Sequence, residues 1–275
     1  MTLNTCQIAF IGFGEVAQTF ARDLLSRGDV AITGYDVLLG GPGGDLLRSR
    51  ASALGVTLAE TLEDATRAAT IVISAVTASE AETVAQASSP FLSRDQIFFD
   101  LNSAAPSTKQ RAARHVEPSG AHYVEAAVMA PVLKPGIRVP ILVGGPHAHA
   151  AAERLNGLGM NLTSVATEYG RASAMKLCRS IMIKGIEALM VDCTAACESW
   201  QVKEQVFGSL AETFPSIDWY SLSDNMRERV ATHGVRRSAE MYEAGEMLAA
   251  LEMDPSLANA VAAAQLRGAK PKGAL

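Results

Sequence analysis

The sequence predicts an α/β fold, with a doubly wound parallel sheet in the first part of the chain and an all-α region after it. Two observations predict this arrangement. Short apolar or β-branched runs alternate with amphipathic segments up to about residue 167, and only helical patterns follow beyond it. We therefore expect two domains, residues 1–167 built on the sheet and residues 168–275 built from helices.

Six runs predict the strands of the sheet, at residues 7–11, 30–35, 70–76, 96–101, 123–128 and 139–143. Five segments between them carry apolar residues at helical spacing, at residues 15–26, 45–54, 61–68, 79–88 and 106–116, and residues 40–44 form a glycine-rich loop. Regular alternation of this kind is typical of parallel strands joined by crossover helices.

Four helices are predicted in the second part of the chain, over residues 171–200, 202–213, 218–233 and 235–251. Gly234 separates the last two, and we expect a bend there. The final residues, 267–275, are small and basic and contain Pro and Gly, which indicates a frayed tail.

The composition is that of an ordinary globular protein. Of the 275 residues, 48% are hydrophobic and 19% charged, which excludes a disordered chain, a collagen and a coiled-coil rod. The net charge of -5 and the absence of a dense Lys/Arg run indicate no nucleic-acid partner. No run is apolar and long enough to cross a membrane, and no leader-like start occurs, so we expect a cytoplasmic protein with no membrane partner.

The four cysteines, Cys6, Cys178, Cys193 and Cys197, are too few and too unevenly spaced for a disulfide framework. Cys193 and Cys197 lie one helical turn apart, but no histidine stands at ligand spacing beside them. We therefore expect buried structural thiols and no metal.

The most informative motif is a glycine-rich turn after the first strand, Gly12-Phe13-Gly14-Glu15-Val16-Ala17. Gly12 permits a tight turn, Gly14 lets the backbone approach a pyrophosphate, and Ala17 allows close packing of helix on strand. The phosphates would lie at the N-terminus of the helix that follows. The motif predicts a dinucleotide-binding fold of the Rossmann type; the alternative is a glycine-rich turn without a ligand.

Further coenzyme contacts are expected at the ends of neighbouring strands, where open α/β sheets bind their ligands. These are Val76 and Thr77 after the third strand and Asn102 after the fourth. Asp36 ends the second strand, and its carboxylate would bind the ribose hydroxyls and repel a 2′-phosphate, which favours NAD over NADP. Arg48 and Arg50 would bind that phosphate if NADP were the coenzyme, or else belong to a solvated helix face.

Three motifs occur in the order found in one family: the turn at 12–17, Asp100-Leu101-Asn102-Ser103, and the segment from Gly170 to Lys176. Over nearly its whole length the chain resembles the β-hydroxyacid dehydrogenases, which include 3-hydroxyisobutyrate and 6-phosphogluconate dehydrogenases. Its helical part resembles the subgroup with a phosphogluconate-dehydrogenase-like C-terminal domain. The resemblance implies an NAD(P)-dependent enzyme that oxidises the CH–OH group of a small hydroxy acid. It also implies a homodimer or higher homo-oligomer formed through the helical domain.

The resemblance implies that Lys176 is the catalytic acid or base. Ser180, Lys184 and Glu187 follow it on one helical stripe, which could equally face solvent. Oxidation of an alcohol requires a base with a pKa near the working pH, and burial or a neighbouring cation such as Lys184 would lower the pKa of a lysine.

Asn102 and Ser103 are the other expected catalytic residues. They would orient the reacting hydroxyl or the carboxylate of the substrate; the alternative is a simple cap for the helix that begins at Pro106. Two other functions stay open: an imine reductase of the same architecture and a non-catalytic nucleotide-binding protein. The presence of Lys176 and Asn102 favours the dehydrogenase.

The end of the fifth strand and the residues after it depart from the family pattern. An Asp-Ala-Pro-Val-Ser-Gly-Gly run is replaced here by residues 125–131, in which Met129 removes a hydroxyl and Pro131 lacks an N–H. Ser180 stands where the family tends to have Asn, and we expect Met129 and Ser180 to contact the substrate. We therefore expect a bulkier or more apolar substrate than 3-hydroxyisobutyrate.

An anionic substrate requires a cationic partner, and the candidates are Lys184, His233, Arg236 and Arg237. In the alternative interpretation the two arginines begin a surface helix with Glu240 as their ion-pair partner. No Gly-x-Ser-x-Gly motif occurs, so the sequence does not support a serine hydrolase.

Overall fold

The computed structural model describes residues 5–270, which divide into two units between Lys176 and Leu177. The strands of the first unit are β1 (Cys6–Ile11), β2 (Val30–Tyr35), β3 (Thr57–Leu58), β4 (Ile71–Ser74), β5 (Ile97–Asp100), β6 (His122–Val128), β7 (Pro140–Gly144) and β8 (Asn161–Ala166). Its helices are α1 (Glu15–Leu25), α2 (Gly44–Leu54), α3 (Leu62–Arg67), α4 (Ala81–Ser88), α5 (Pro106–Val116) and α6 (Ala148–Gly157). Helix α7 (Arg171–Trp200) begins in this unit and continues into the second.

One sheet contains these strands in the order β3-β2-β1-β4-β5-β6-β7-β8. The predicted doubly wound α/β class is confirmed, with one exception to its parallel pairing. Strand β7 runs antiparallel to β6, because the short connection between them contains only a single 3-10 turn at Gly136–Arg138 and no crossover helix. Strand β8 then pairs parallel with β7 after α6.

Helices cover both faces of the sheet. Along β1, Ile8 and Phe10 join a core with α1, α2 and α6, whereas Ala9 and Ile11 join a second core with α4 and α5. This alternation follows from the two-residue repeat of a strand and explains the nearly continuous apolar runs in the sequence. Strand β8 was not predicted, because it is an edge strand in which only Leu162 is buried.

The second unit is helical. After α7 it contains α8 (Lys203–Thr213), α9 (Trp219–Ala250) and α10 (Ser256–Gly268). The bend expected at Gly234 is wrong, since α9 continues through it. A Cβ at Gly234 would collide with the carbonyl oxygen of Gln265, so this glycine allows α9 and α10 to pack closely.

Helix α10 was not predicted, and it includes the first residues of the expected frayed tail, which extends to residues 271–275 outside the described part of the chain. Cys6, Cys178, Cys193 and Cys197 are free thiols. Cys197 is buried as expected, whereas Cys193 is only half-buried and Cys178 is exposed. Within residues 5–270, no helix combines the length and the apolar character needed to span a membrane.

Candidate functional site

The glycine-rich turn between β1 and α1 leaves room for a ligand on one side only. Gly12 has a φ of +84°, and a Cβ there would lie 2.5 Å from the carbonyl oxygen of Ala75, so a side chain does not fit. A Cβ on Gly14 would have no atom within 4 Å, so open space lies beside the turn at the start of α1. These residues fit the pyrophosphate of a dinucleotide, which would meet the free N–H groups of the helix.

Asp36, at the end of β2, is part of the same turn. Its Oδ2 accepts a hydrogen bond from the N–H of Phe13 at 2.8 Å, and its Oδ1 accepts one from the N–H of Leu38 at 3.0 Å. Val37 and Leu38 are both exposed. The carboxylate therefore orders the glycine-rich turn, and each of its oxygens keeps a further lone pair for a ligand.

The two arginines near Asp36 are placed differently from each other. Arg48 forms an ion pair with Glu60 at 3.2 Å and donates to the carbonyl oxygen of Leu39 at 3.3 Å. Arg50 is exposed on α2. The guanidinium of Arg48 is thus held by groups of the protein.

Asn102 joins the carboxyl ends of β4 and β5. Its Oδ1 accepts from the N–H of Val76 at 2.7 Å, and its Nδ2 donates to Ser74 Oγ at 2.9 Å. The side chain is buried, while Thr77 on the loop that it holds is exposed. Asn102 therefore fixes the loop of Val76 and Thr77, which borders Gly12.

A buried charge cluster that the sequence reasoning missed lies directly behind this loop. Lys109 Nζ is 2.9 Å from Asp100 Oδ1 and donates to the Asp100 carbonyl oxygen at 3.0 Å, and both side chains are fully buried. Tyr123 donates to Asp100 Oδ2 at 2.6 Å, and the N–H of Asn102 donates to Oδ1 at 2.9 Å. Burial and the Asp100 carboxylate hold the pKa of Tyr123 well above its usual value.

One feature of the sequence indicates this cluster. Lys109 shares a helical face with Ala112, Ala113 and Val116, all of which are buried. A lysine on the apolar face of an amphipathic helix requires a buried partner. The cluster fixes the turn that carries Asn102 and Ser103.

Lys176 and Ser103, two of the predicted catalytic residues, are in direct contact. The Nζ of Lys176 donates a hydrogen bond to the Oγ of Ser103, and both side chains are half-buried. Ser103 lies just beyond β5, at the edge of the sheet where ligands bind in open α/β folds. An amine beside a hydroxyl at this edge can exchange a proton with a ligand.

A second buried carboxylate, Glu125 on β6, holds the start of α7. Its Oε2 accepts from the N–H of Gly170 at 2.8 Å and from Ser173 Oγ at 3.2 Å, and its Oε1 accepts from the N–H of Ala172 at 2.8 Å. Burial raises the pKa of the Glu125 carboxyl, while Lys109 and the two N–H groups act in the opposite direction. Glu125 is not among the site residues that the sequence motifs predict.

The second unit contains a buried polar network in which Ser180, Lys184 and Arg237, three residues predicted to bind substrate, contact Glu187 and Glu240. Ser180 Oγ donates to Glu240 Oε1 at 2.9 Å, and Lys184 Nζ donates to Ser180 Oγ at 3.0 Å and lies 3.2 Å from Glu240 Oε1. Arg237 Nε donates to Glu187 Oε2 at 2.8 Å. The alternative of a solvent-facing stripe is wrong for Ser180, Lys184 and Glu187, which are all buried.

Carboxylates of the same unit face the cations of this network. Burial lowers the pKa of Lys184, against the opposing effect of Glu240. The other two candidate cations, His233 and Arg236, are exposed on α9, and Arg236 lies 3.8 Å from Glu240.

Met129 ends the β6–β7 pairing, because its N–H donates to the carbonyl oxygen of Pro140 at 2.9 Å. Its half-buried side chain follows β6, as the sequence predicts. Among the described residues, no group of three or more His, Cys, Asp or Glu side chains is arranged to hold a metal ion.

Two protein families match separate parts of the chain. Residues 7–103, which contain the glycine-rich turn and Asn102, match the family described as NADP oxidoreductase, coenzyme F420-dependent. Residues 198–267 match DUF1932, a domain of unknown function.

Three solved structures extend the similarity to the whole chain. A conserved hypothetical protein from Sinorhizobium meliloti 1021 is 39% identical, with 95% of this chain and 88% of that chain covered and a TM-score of 0.81. A conserved protein of unknown function, whose structure was described as similar to 3-hydroxyacid dehydrogenases, is 32% identical over 95% and 99% of the two chains, with a TM-score of 0.74. The 3-hydroxyisobutyrate dehydrogenase of Mycobacterium tuberculosis shares the fold, at 15% identity, 96% and 93% coverage and a TM-score of 0.78. The chain belongs to the same family as the first two of these proteins, a β-hydroxyacid dehydrogenase-like family.

Proposed function

We propose that this protein is a dehydrogenase that transfers a hydride between a nicotinamide coenzyme and the CH–OH group of a small hydroxy acid. The matched oxidoreductase family and the dehydrogenase-like family together support a nicotinamide-dependent, hydride-transfer oxidoreductase. The observation that supports a dehydrogenase acting on a CH–OH group is the hydrogen bond from Lys176 to Ser103. It joins an amine and a hydroxyl at the edge of the sheet where open α/β folds bind ligands.

The coenzyme would be held by the turn at Gly12 and Gly14, the first N–H groups of α1, the loop of Val76 and Thr77, and Asp36. When bound, its nicotinamide ring supplies the hydride acceptor or donor. The buried Asn102 acts in this proposal as a positioning residue, because both ends of its amide already bind the β4 end and the adjoining loop.

Lys176 handles the proton in this proposal. During oxidation the neutral amine accepts the proton of the substrate hydroxyl, and during reduction the ammonium returns it to the carbonyl oxygen. Ser103 orients the amine and the reacting oxygen through its own hydroxyl, which can accept one hydrogen bond and donate another.

We propose NAD as the preferred coenzyme, although the matched family is named for NADP. The Asp36 carboxylate lies beside the turn and would repel a 2′-phosphate. Exposed apolar residues, Val37 and Leu38, follow it, and Arg48 is paired with Glu60. These residues favour a coenzyme without that phosphate.

The substrate is proposed to carry a bulkier or more apolar group than 3-hydroxyisobutyrate. Met129 places a flexible apolar side chain where the family has a hydroxyl, and its N–H is already bonded to Pro140. Ser180, which replaces a family Asn, is buried against Glu240.

A screen of hydroxy acids with NAD and NADP in parallel, followed by NADH or NADPH absorbance, tests the proposal. We expect turnover with at least one substrate larger than 3-hydroxyisobutyrate and a higher kcat/KM with NAD. Efficient turnover of 3-hydroxyisobutyrate would contradict the proposed substrate class. Reduction of imines without any turnover of hydroxy acids would favour an imine reductase, and coenzyme binding without turnover of either would favour a non-catalytic protein.

We also propose that the second unit associates with a second copy of the chain. Met182, Ile186 and Leu189 are exposed at helical spacing on one face of α7, with 64% of Met182 and 71% of Leu189 accessible. Sedimentation should show a dimer or larger oligomer that Leu189→Glu weakens. A wild-type protein that sediments as a monomer at every concentration would exclude this association.

A further inference from the structure

We infer that Glu125 is a positioning residue for Lys176: its buried carboxylate binds the start of α7 and so sets where the lysine meets Ser103. The inference rests on the proposed function, in which Lys176 carries the proton. It gives a role in the proton transfer to Glu125, which lies on the sheet, does not belong to the Lys176–Ser103 pair, and acts through α7.

The contacts of Glu125 go to the first turn of α7 and its preceding residue. The carboxylate accepts from Gly170, Ala172 and Ser173 at 2.8, 2.8 and 3.2 Å. Lys176 lies four positions after Ala172 and therefore on the same face of the helix, one turn further on. A helix held at this turn has little freedom to move the Lys176 side chain away from Ser103.

The sheet is shaped around the Glu125 carboxylate. Its neighbour on β7 is Gly144, where a Cβ would lie 2.5 Å from Glu125 Oε1. Gly170 has a φ of +98°, and a Cβ there would lie 3.0 Å from Pro106 Cβ. Two positions thus need glycine for the carboxylate to reach the helix and for the helix to begin at this place.

Capping alone does not require this arrangement. A Ser, Thr, Asn or Asp within the helix start satisfies its N–H groups without burying a charge from another element. Glu125 instead ties α7 to β6, beside the strand that leads into Ser103. Burying a carboxylate is costly unless it is hydrogen-bonded, and the partners of Glu125 are the groups at the start of α7.

Lys176 and Ser103 are each held in place by a different buried group. The Asp100–Lys109 ion pair fixes the turn of Ser103, and Glu125 fixes the helix of Lys176. The Lys109 charge also favours the ionised form of Glu125, which is the form that can accept from two N–H groups at once.

The test compares Glu125→Gln with a matched control, Gln96→Leu. The amide nitrogen introduced by Glu125→Gln would face an N–H of α7, so that one donor loses its acceptor. Gln96 is buried at the opposite end of β5 and donates to the carbonyl oxygens of Thr66 and Ala69 at 3.0 and 2.6 Å. Its loss destabilises the same sheet without touching α7.

Urea unfolding gives the stability of each variant, and two further readouts are needed. The first is kcat and KM for hydride transfer. The second is the NMR titration of the Lys176 side chain in lysine-labelled protein, with its signal identified by its absence from Lys176→Arg. We expect Glu125→Gln to lower kcat roughly 100-fold, with coenzyme affinity kept, and to shift the Lys176 titration, whereas Gln96→Leu changes neither.

The inference is overturned if Glu125→Gln loses stability as Gln96→Leu does but keeps kcat and the Lys176 titration of the wild type. If wild-type protein oxidises no hydroxy acid, the proposed function fails, and the titration still decides whether Glu125 positions Lys176. If Glu125→Gln does not fold, Ser173→Ala removes one of the three contacts without adding a group. That variant should shift the same two readouts in the same direction by a smaller amount, and wild-type values for both would contradict the inference.

Discussion

Asp100 and Glu125 are lateral neighbours on the parallel strands β5 and β6, and both carboxylates are fully buried. Asp100 binds Lys109, Tyr123 and the N–H of Asn102, whereas Glu125 binds the start of α7. The two neighbouring carboxylates therefore hold the two segments that carry Ser103 and Lys176.

Lys109 should be essential for the stability of the first unit. Lys109→Met leaves Asp100 and Glu125 buried without their cation, and removal of one partner of a buried ion pair costs about 3–5 kcal/mol. Urea unfolding should show a loss of this size. The double variant Lys109→Met/Asp100→Asn should recover part of it, and a loss below about 1 kcal/mol for the single variant would mean that the pair contributes little.

The stability contributed by Glu125 should depend on pH in a defined direction. Burial raises the pKa of Glu125 in the folded state above its unfolded value near 4.5, so the folded state binds the proton more tightly. Above the folded pKa the buried Glu125 carboxylate is ionised, and this costs folding free energy. The cost disappears as the pH falls toward 4.5, because the carboxyl becomes protonated.

Urea unfolding of the wild type and Glu125→Gln at a series of pH values measures this effect. The stability of the wild type relative to the variant should increase as the pH is lowered through that window, by about 1.4 kcal/mol for each unit by which the pKa is raised. A relative stability that falls over the same window would indicate a lowered pKa instead.

Substitution by alanine should have different effects at Gly12 and Gly14, the two glycines of the glycine-rich turn. Gly14→Ala meets no atom within 4 Å, so the protein should keep its melting temperature but lose coenzyme affinity, because the new methyl group occupies the space for the pyrophosphate. Gly12→Ala combines a positive φ with a clash against Ala75 and should lower stability as well. Calorimetric titration and thermal melting separate the two effects, and unchanged coenzyme binding in Gly14→Ala would place the ligand elsewhere.

Asp36 should determine the choice between the two coenzymes. Asp36→Asn removes the charge that we propose repels a 2′-phosphate, so the ratio of the Kd for NADP to the Kd for NAD should fall about tenfold or more. Arg48→Ala is the matched control, since this arginine is held by Glu60 and Leu39 and should leave the ratio unchanged. A ratio that moves in Arg48→Ala but not in Asp36→Asn would identify Arg48 as the selecting residue.

Much of the fold was predictable because local sequence patterns indicate it. The strand of residues 7–11 and the turn at Gly12 follow from apolar periodicity and from glycine spacing, and the structure has both. The antiparallel direction of β7 was not predictable from its own residues, because an apolar run does not indicate whether the strand pairs in a parallel or an antiparallel direction. Gly234 shows a similar limit, since a glycine in a helical pattern indicates a bend as well as a close helix contact.

The residues of the candidate site were predictable where they belong to a sequence motif. Lys176 and Ser103 were found through the family motifs, and the structure brings them together. Glu125 and Lys109 were missed, because their roles depend on partners distant in the sequence, such as Gly170 for Glu125. Burial of charged groups is decided by tertiary packing, and only the apolar neighbours of Lys109 on its helix indicate it locally.

The most direct measurement of the central claim is the hydride-transfer rate of Lys176→Ala in single-turnover experiments with a hydroxy acid that the wild type oxidises. If Lys176 is the general acid and base, the rate should fall by about 10²–10⁴-fold while the Kd of the coenzyme stays at its wild-type value. The fall of kcat/KM on the acidic side of the pH profile, where the amine of Lys176 is protonated, should also be lost. A variant that keeps both the wild-type rate and its pH profile would show that another residue carries the proton.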